Sequence, residues 1–76
     1  MNVYNLTQKG RQKFEKMRDN PRLFNTVGYK VLEYLYENGT GTIEQVIDDA
    51  GMSNSKALTK LNQFKREGLV EVLAKL

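Results

Sequence analysis

The chain has neither cysteine nor histidine among its 76 residues. Without cysteine there is no disulfide, no thiolate nucleophile and no thiolate ligand for zinc. Without histidine the usual general base near neutral pH is missing. A zinc site would then rest on carboxylates alone, a poor donor set for that metal. There is also no glycine-rich phosphate-binding loop. These gaps leave an enzyme few tools, so no catalytic residue and no cofactor is expected. No apolar run approaches the ~20 residues that span a bilayer. The opening "MNVYNLTQKG" lacks an apolar segment behind a basic start, so it does not read as a signal peptide. A cytoplasmic protein with no membrane partner is expected.

What is present suits a small soluble fold. Hydrophobic residues make up 39% and charged residues 28%, a balance that favours a globular chain over a disordered one. The length allows one domain, 1–76, near the lower limit for a self-sufficient core. Charge is unevenly spread. Residues 1–30 carry seven basic groups against Glu15 and Asp19, a net +5. Residues 31–53 carry Glu33, Glu37, Glu44, Asp48 and Asp49 with no basic residue, a net −5. Residues 54–76 return to +3. Basic segments attract polyanions, and nucleic acid is the commonest inside a cell.

Apolar spacing and turn residues divide the chain. Val3, Tyr4 and Leu6 suit a short strand, and Thr7 can cap a basic helix over residues 8–19 with a thin stripe of Gly10, Phe14 and Met17. A frayed tail or a first turn of helix is the other reading of residues 3–6. Asn20 and Pro21 suit the start of a second helix, although Asn25 fits the cap equally well. That helix places Phe24, Val31, Leu32 and Leu35 on one face and stops at Gly39. "GTGT" is a short extended link. Thr42 and Gln45 form a capping-box pattern ahead of a helix whose stripe is Ile43, Val46, Ile47 and Ala50. Gly51 suits a left-handed stop, and Ser53 or Asn54 caps a last helix. Gly68 ends it, and "LVEVLAKL" reads as a strand.

The last helix, "NSKALTKLNQFKREGL", carries the strongest signal. Ala57, Leu58, Leu61 and Phe64 define a buried arc. Ser55, Lys56, Thr59, Gln63 and Arg66 face away, flanked by Lys60 and Asn62. No carboxylate occurs from Met52 to Arg66, whereas a plain solvated helix usually mixes in acidic partners. Asn and Gln match adenine edges, Arg and Lys match guanine, and a Thr methyl meets thymine.

Three helices in order, the last two joined by a tight glycine-containing turn, form a helix-turn-helix arrangement. The segments are "NTVGYKVLEYLYENG", "TIEQVIDDA", "GMS" and "NSKALTKLNQFKREGLV". They resemble the winged helix-turn-helix domains of bacterial and archaeal transcription regulators and those of their viruses. The closing pattern of Leu58, Leu61 and "FKREGLVEV" carries the resemblance, which covers residues 24–73. It implies an α+β, mostly helical fold with a winged-helix-like three-helix core. It also implies a regulator that binds double-stranded DNA with residues 54–67 in the major groove. The family's wing is a two-stranded hairpin after that helix, and here one strand fits. "VYNLTQKGRQKF" resembles the segment that follows the wing in those regulators. Residues 1–20 are therefore expected to supply an extra strand and helix, with residues 3–6 paired to residues 69–73 in a small sheet, within one chain or swapped between two.

Ser55, Lys56, Thr59, Lys60, Asn62, Gln63 and Arg66 are the candidate DNA-binding residues, with Lys9, Arg11 and Lys13 as further candidates; these three and Lys16 are able to touch flanking phosphates or simply aid solubility. A module this small buries little surface on DNA, so a homodimer reading two half-sites is expected. The alternative is a protein–protein interaction module docking on a larger complex. Glu44, Asp48 and Asp49 read as a solvated face in preference to a metal site. Tyr29 and Tyr36, seven apart, suit a cover over Phe14 and Met17 or a dimer contact. Arg18 and Arg22 have Asp19 or Glu15 as possible partners. No small-molecule ligand is evident.

Overall fold

The computed structural model describes residues 1–75, and of Ala50 the backbone alone. The elements are β1 (Asn2–Leu6), α1 (Gln8–Met17), a 3-10 turn (Pro21–Leu23), α2 (Val27–Asn38), β2 (Thr40–Thr42), α3 (Ile43–Ala50), α4 (Asn54–Arg66) and β3 (Val70–Lys75). The result is α+β, with four helices against a three-stranded antiparallel sheet of order β2-β1-β3.

The N-terminal strand is the centre of that sheet. Leu6 faces Val70, Asn5 faces Glu71 and Tyr4 faces Val72 within one chain, so residues 3–6 are a paired strand and not a tail. Alternation turns Tyr4 and Leu6 into the core. The "GTGT" link contributes three pairs on the other edge, Val3 with Thr42, Tyr4 with Gly41 and Asn5 with Thr40. It is thus a strand in its own right. Gly41 is needed there because a Cβ would stand 2.6 Å from Cε1 of Tyr34.

Helix starts follow their caps. Thr7 and Ser53 accept from the amides of Gly10 and Lys56, and Thr42 with Gln45 forms the expected capping box. The start of α2 departs from expectation. Asn20 caps the 3-10 turn, and Thr26, not Asn20 or Asn25, caps α2 by accepting from Tyr29 N–H at 3.2 Å. Phe24 therefore precedes the helix and is 42% exposed, off the buried face, with its ring 5.0 Å from that of Tyr29. α1 is shorter than expected, ending at Met17.

Val31, Leu32, Leu35, Val46 and Leu61 are fully enclosed, and Tyr4, Leu6, Phe14, Tyr29, Phe64, Leu69 and Val70 complete the core. Ile43 and Ile47 are half-buried beside Val46, and the side chain of Ala50 lies outside the described residues, as does Leu76. Tyr29 and Tyr36 cover Phe14, with ring centroids 5.1 and 4.9 Å away. Arg18 stacks over Tyr36 at 5.3 Å, and neither it nor Arg22 pairs with Asp19 or Glu15; Glu15 instead accepts the Tyr36 hydroxyl at 2.9 Å.

Residues 6–10 clamp the end of α4. Thr7 N–H donates to Leu69 C=O at 3.0 Å, and its hydroxyl donates to Gly68 C=O at 2.6 Å. Lys9 Nζ donates to Glu67 C=O at 2.9 Å. Gly10 lies so close that a Cβ would clash with the Leu69 carbonyl oxygen at 2.0 Å. The helix end has its own satisfied geometry, with Gly68 at φ 77°, Gly68 N–H on Lys65 C=O and Leu69 N–H on Phe64 C=O.

Candidate nucleic-acid interface

α4 buries Ala57, Leu61 and Phe64 against the core. Leu58, expected in that arc, is 41% exposed. At ~100° per residue it stands about 90° from the centre set by the other three, on the flank of the helix.

The outward ridge is formed by Ser55, Thr59, Asn62 and Arg66, all exposed, with exposed Lys56 beside it. Among the described residues none of these five side chains has a partner. Their donors and acceptors are therefore free for a ligand. Lys60 and Gln63 are different. Both are partly buried, and Lys60 Nζ donates to Gln63 Oε1 at 3.2 Å while lying 5.9 Å from the centre of the Phe64 ring. Gln63 Nε2 in turn donates to Glu67 Oε2 at 3.5 Å. These two sit on the flank as a connected pair.

The three α1 candidates do not gather with this ridge. Lys9 is tied to the Glu67 carbonyl, and Lys13 stands next to it, beside Glu67 and Leu69 at the C-terminal end of α4. Arg11 lies elsewhere, 5.9 Å over the Tyr36 ring on α2.

One feature was not legible in the sequence. Val27, at the start of α2, meets Ser55, Lys56, Thr59 and Lys60 around an open groove of about 260 Å³. Gly28 allows this approach: a Cβ there would lie 3.1 Å from Phe64 Cζ and 3.9 Å from Lys60 Cε. A glycine one residue into a capped helix was the available signal.

Away from α4, Glu44, Asp48 and Asp49 are exposed, and among the described residues no three His, Cys, Asp or Glu side chains cluster as a metal site. Glu33 is the perturbed carboxyl. Partial burial raises its pKa, Glu37 and Asp49 add to the rise, and Lys30 opposes it. The Tyr29 hydroxyl is also raised, first by burial and then by Glu33. Among the described residues no helix is long and apolar enough to cross a membrane. A scan against protein-family models, a search of curated proteins and a search of solved structures each find no match.

Proposed function

We propose that this chain binds double-stranded DNA, with α4 in the major groove, on a winged-helix-like scaffold serving transcription regulation. The observation that carries the reading is the outward face of α4. Ser55, Lys56, Thr59, Asn62 and Arg66 are exposed and have no partner among the described residues, and the first carboxylate reached is Glu67, the cap that follows the helix. Ser55, Thr59 and Asn62 offer hydrogen bonds to base edges, and Lys56 and Arg66 neutralise phosphates. The sheet supports the scaffold reading, since β1 lies between β2 and β3 where the second strand of a wing would pair. A second copy would supply the second half-site.

A protein-docking module is the second reading, and exposed Leu58 on the flank of α4 favours it. Fluorescence anisotropy with random-sequence duplex at two salt concentrations separates the two. DNA binding predicts affinity that falls steeply with salt, with the log–log slope flattened by ~0.9 for each phosphate left unneutralised in Lys56→Ala or Arg66→Ala. Thr59→Ala and Asn62→Ala are expected to cost ~1–3 kcal/mol of discrimination between sequences while leaving non-specific affinity nearly unchanged. Absence of duplex binding at low salt would leave the docking reading.

A further inference from the structure

The groove between α2 and α4 shares Ser55, Lys56 and Thr59 with the outward face of α4 and adds Val27 and Lys60. It is lined by Val27, Ser55, Lys56, Thr59 and Lys60, a set that offers one apolar side chain, two lysines with aliphatic stems and cationic heads, and two hydroxyl-bearing side chains. At about 260 Å³ it lies below the ~300–1,000 Å³ of pockets that enclose a whole small molecule. It is open on one side and has no acidic group: the first turns of α2 and α4 both lack Asp and Glu. An apolar side chain with cationic and hydroxyl-bearing neighbours matches one unit of a nucleic-acid backbone, an apolar sugar face joined to an anionic phosphate.

The two lysines are prepared differently. Lys60 is held by Gln63 Oε1 at 3.2 Å and rests near the Phe64 ring, so its ammonium is already positioned. One of its three N–H groups is used there, and two remain. Among the described residues Lys56 has no partner, and it keeps all three. Gln63 in this arrangement is a positioning residue, with its carbonyl on Lys60 and its amide turned to Glu67.

We infer that the groove lined by Val27, Ser55, Lys56, Thr59 and Lys60 seats a single sugar–phosphate unit, with Lys60 as its fixed cation and Lys56 as its mobile one. The inference rests on the DNA-binding reading for the source of the phosphate, and the chemistry is shared by a free phosphate or mononucleotide.

The test is an amide-shift titration of the full chain with three probes: inorganic phosphate, a deoxymononucleotide and a short duplex. The expected result is movement of the Val27 and Gly28 amides with the duplex and the mononucleotide, and more weakly with phosphate. Lys60→Met keeps the stem and removes the charge. It should abolish the phosphate response and flatten the duplex log–log salt slope by ~0.9. Lys56→Gln, at an exposed position, should do the same if Lys60→Met fails to fold. Gln63→Leu should weaken the groove response with Lys60 intact, and Gln63→Glu, whose carboxylate would neutralise Lys60 beside Glu67, should weaken the phosphate response further. Lys75→Gln, at the end of β3 and outside the groove lining, should leave the groove response unchanged. Duplex binding with still Val27 and Gly28 amides and a parental slope in both lysine variants would overturn the groove while sparing the DNA reading. Shifts with mononucleotide but no duplex binding would keep the groove and overturn the DNA reading.

Discussion

Glu33 shows how one residue registers the charge segregation of the whole chain. It sits on α2, half-buried, with Glu37 and Asp49 near and Lys30 as the lone offset. Burial first, and the two carboxylates second, hold its folded pKa above the ordinary carboxyl range. A raised acidic pKa means that the folded state binds the extra proton, so stability falls as pH rises through the window between the unfolded and folded values. The penalty is full above the folded pKa and gone below the unfolded value of ~4.3. Glu33→Gln should therefore raise the melting temperature at pH 7, by an amount worth less than ~0.5 kcal/mol, and give no gain in acid. A gain that persists unchanged below that range would assign the effect to packing.

At the scale of the element, the clamp on α4 decides what the N-terminal helix does. Lys9 closes on the Glu67 carbonyl while Thr7 holds Gly68 and Leu69, so the end of α4 is tied to β1 and α1. Lys9 also places a positive charge at the negative end of the helix dipole. Lys9→Met is expected to lose ~1 kcal/mol of stability, the worth of one hydrogen bond, with the salt slope of DNA binding unchanged. A slope flattened by ~0.9 would instead make Lys9 a phosphate contact. The sequence allowed Lys9 a phosphate role because its partner is a backbone carbonyl 58 positions away, which leaves no side-chain signature. The same limit explains Leu58 and Phe24. Leu58 lies at the edge of a helical arc, where periodicity cannot tell flank from core. Phe24 was shifted off α2 by a Pro21 turn that looked like a helix start. Gln63 reads as outward, with Lys60 on its flank, because i,i+3 bonding between them is invisible to a pattern of apolar positions. Local chemistry was the legible part: the Thr42–Gln45 box, Gly39, Gly51 and Gly68 as stops, and the need of Val70 and Val72 for a partner strand.

For the whole molecule, β1 holds the rest together. Among the described residues no lysine or arginine side chain pairs with a carboxylate, so the core and the sheet carry the stability. Tyr4 and Leu6 are both buried at 3% exposure. Their burial stabilises by ~1.5–3 kcal/mol each, or ~3–6 together, against a net stability of ~5–15 kcal/mol for a folded domain. Removing residues 1–7 strips both, leaves β2 and β3 without the strand between them and takes the Thr7 hydrogen bonds out of the clamp. The shortened chain should show no cooperative melt, and a cooperative transition retained after the deletion would count against β1 as the organising strand. The unpaired charges have a consequence of their own: the cations of α4 have no carboxylate partner to give up on meeting a polyanion, whereas Arg11 and Arg18 are already stacked on the Tyr36 ring.

That contrast sets the measurement that bears most directly on the central claim, an amide-shift map of the full chain with a short random-sequence duplex at low salt. A DNA-reading α4 predicts shifts concentrated along residues 54–66, strongest at Ser55, Lys56, Thr59 and Asn62, with Arg11 and Arg18 unmoved. Shifts gathered on α1 around Arg11 and Arg18, with the ridge of α4 silent, would contradict it.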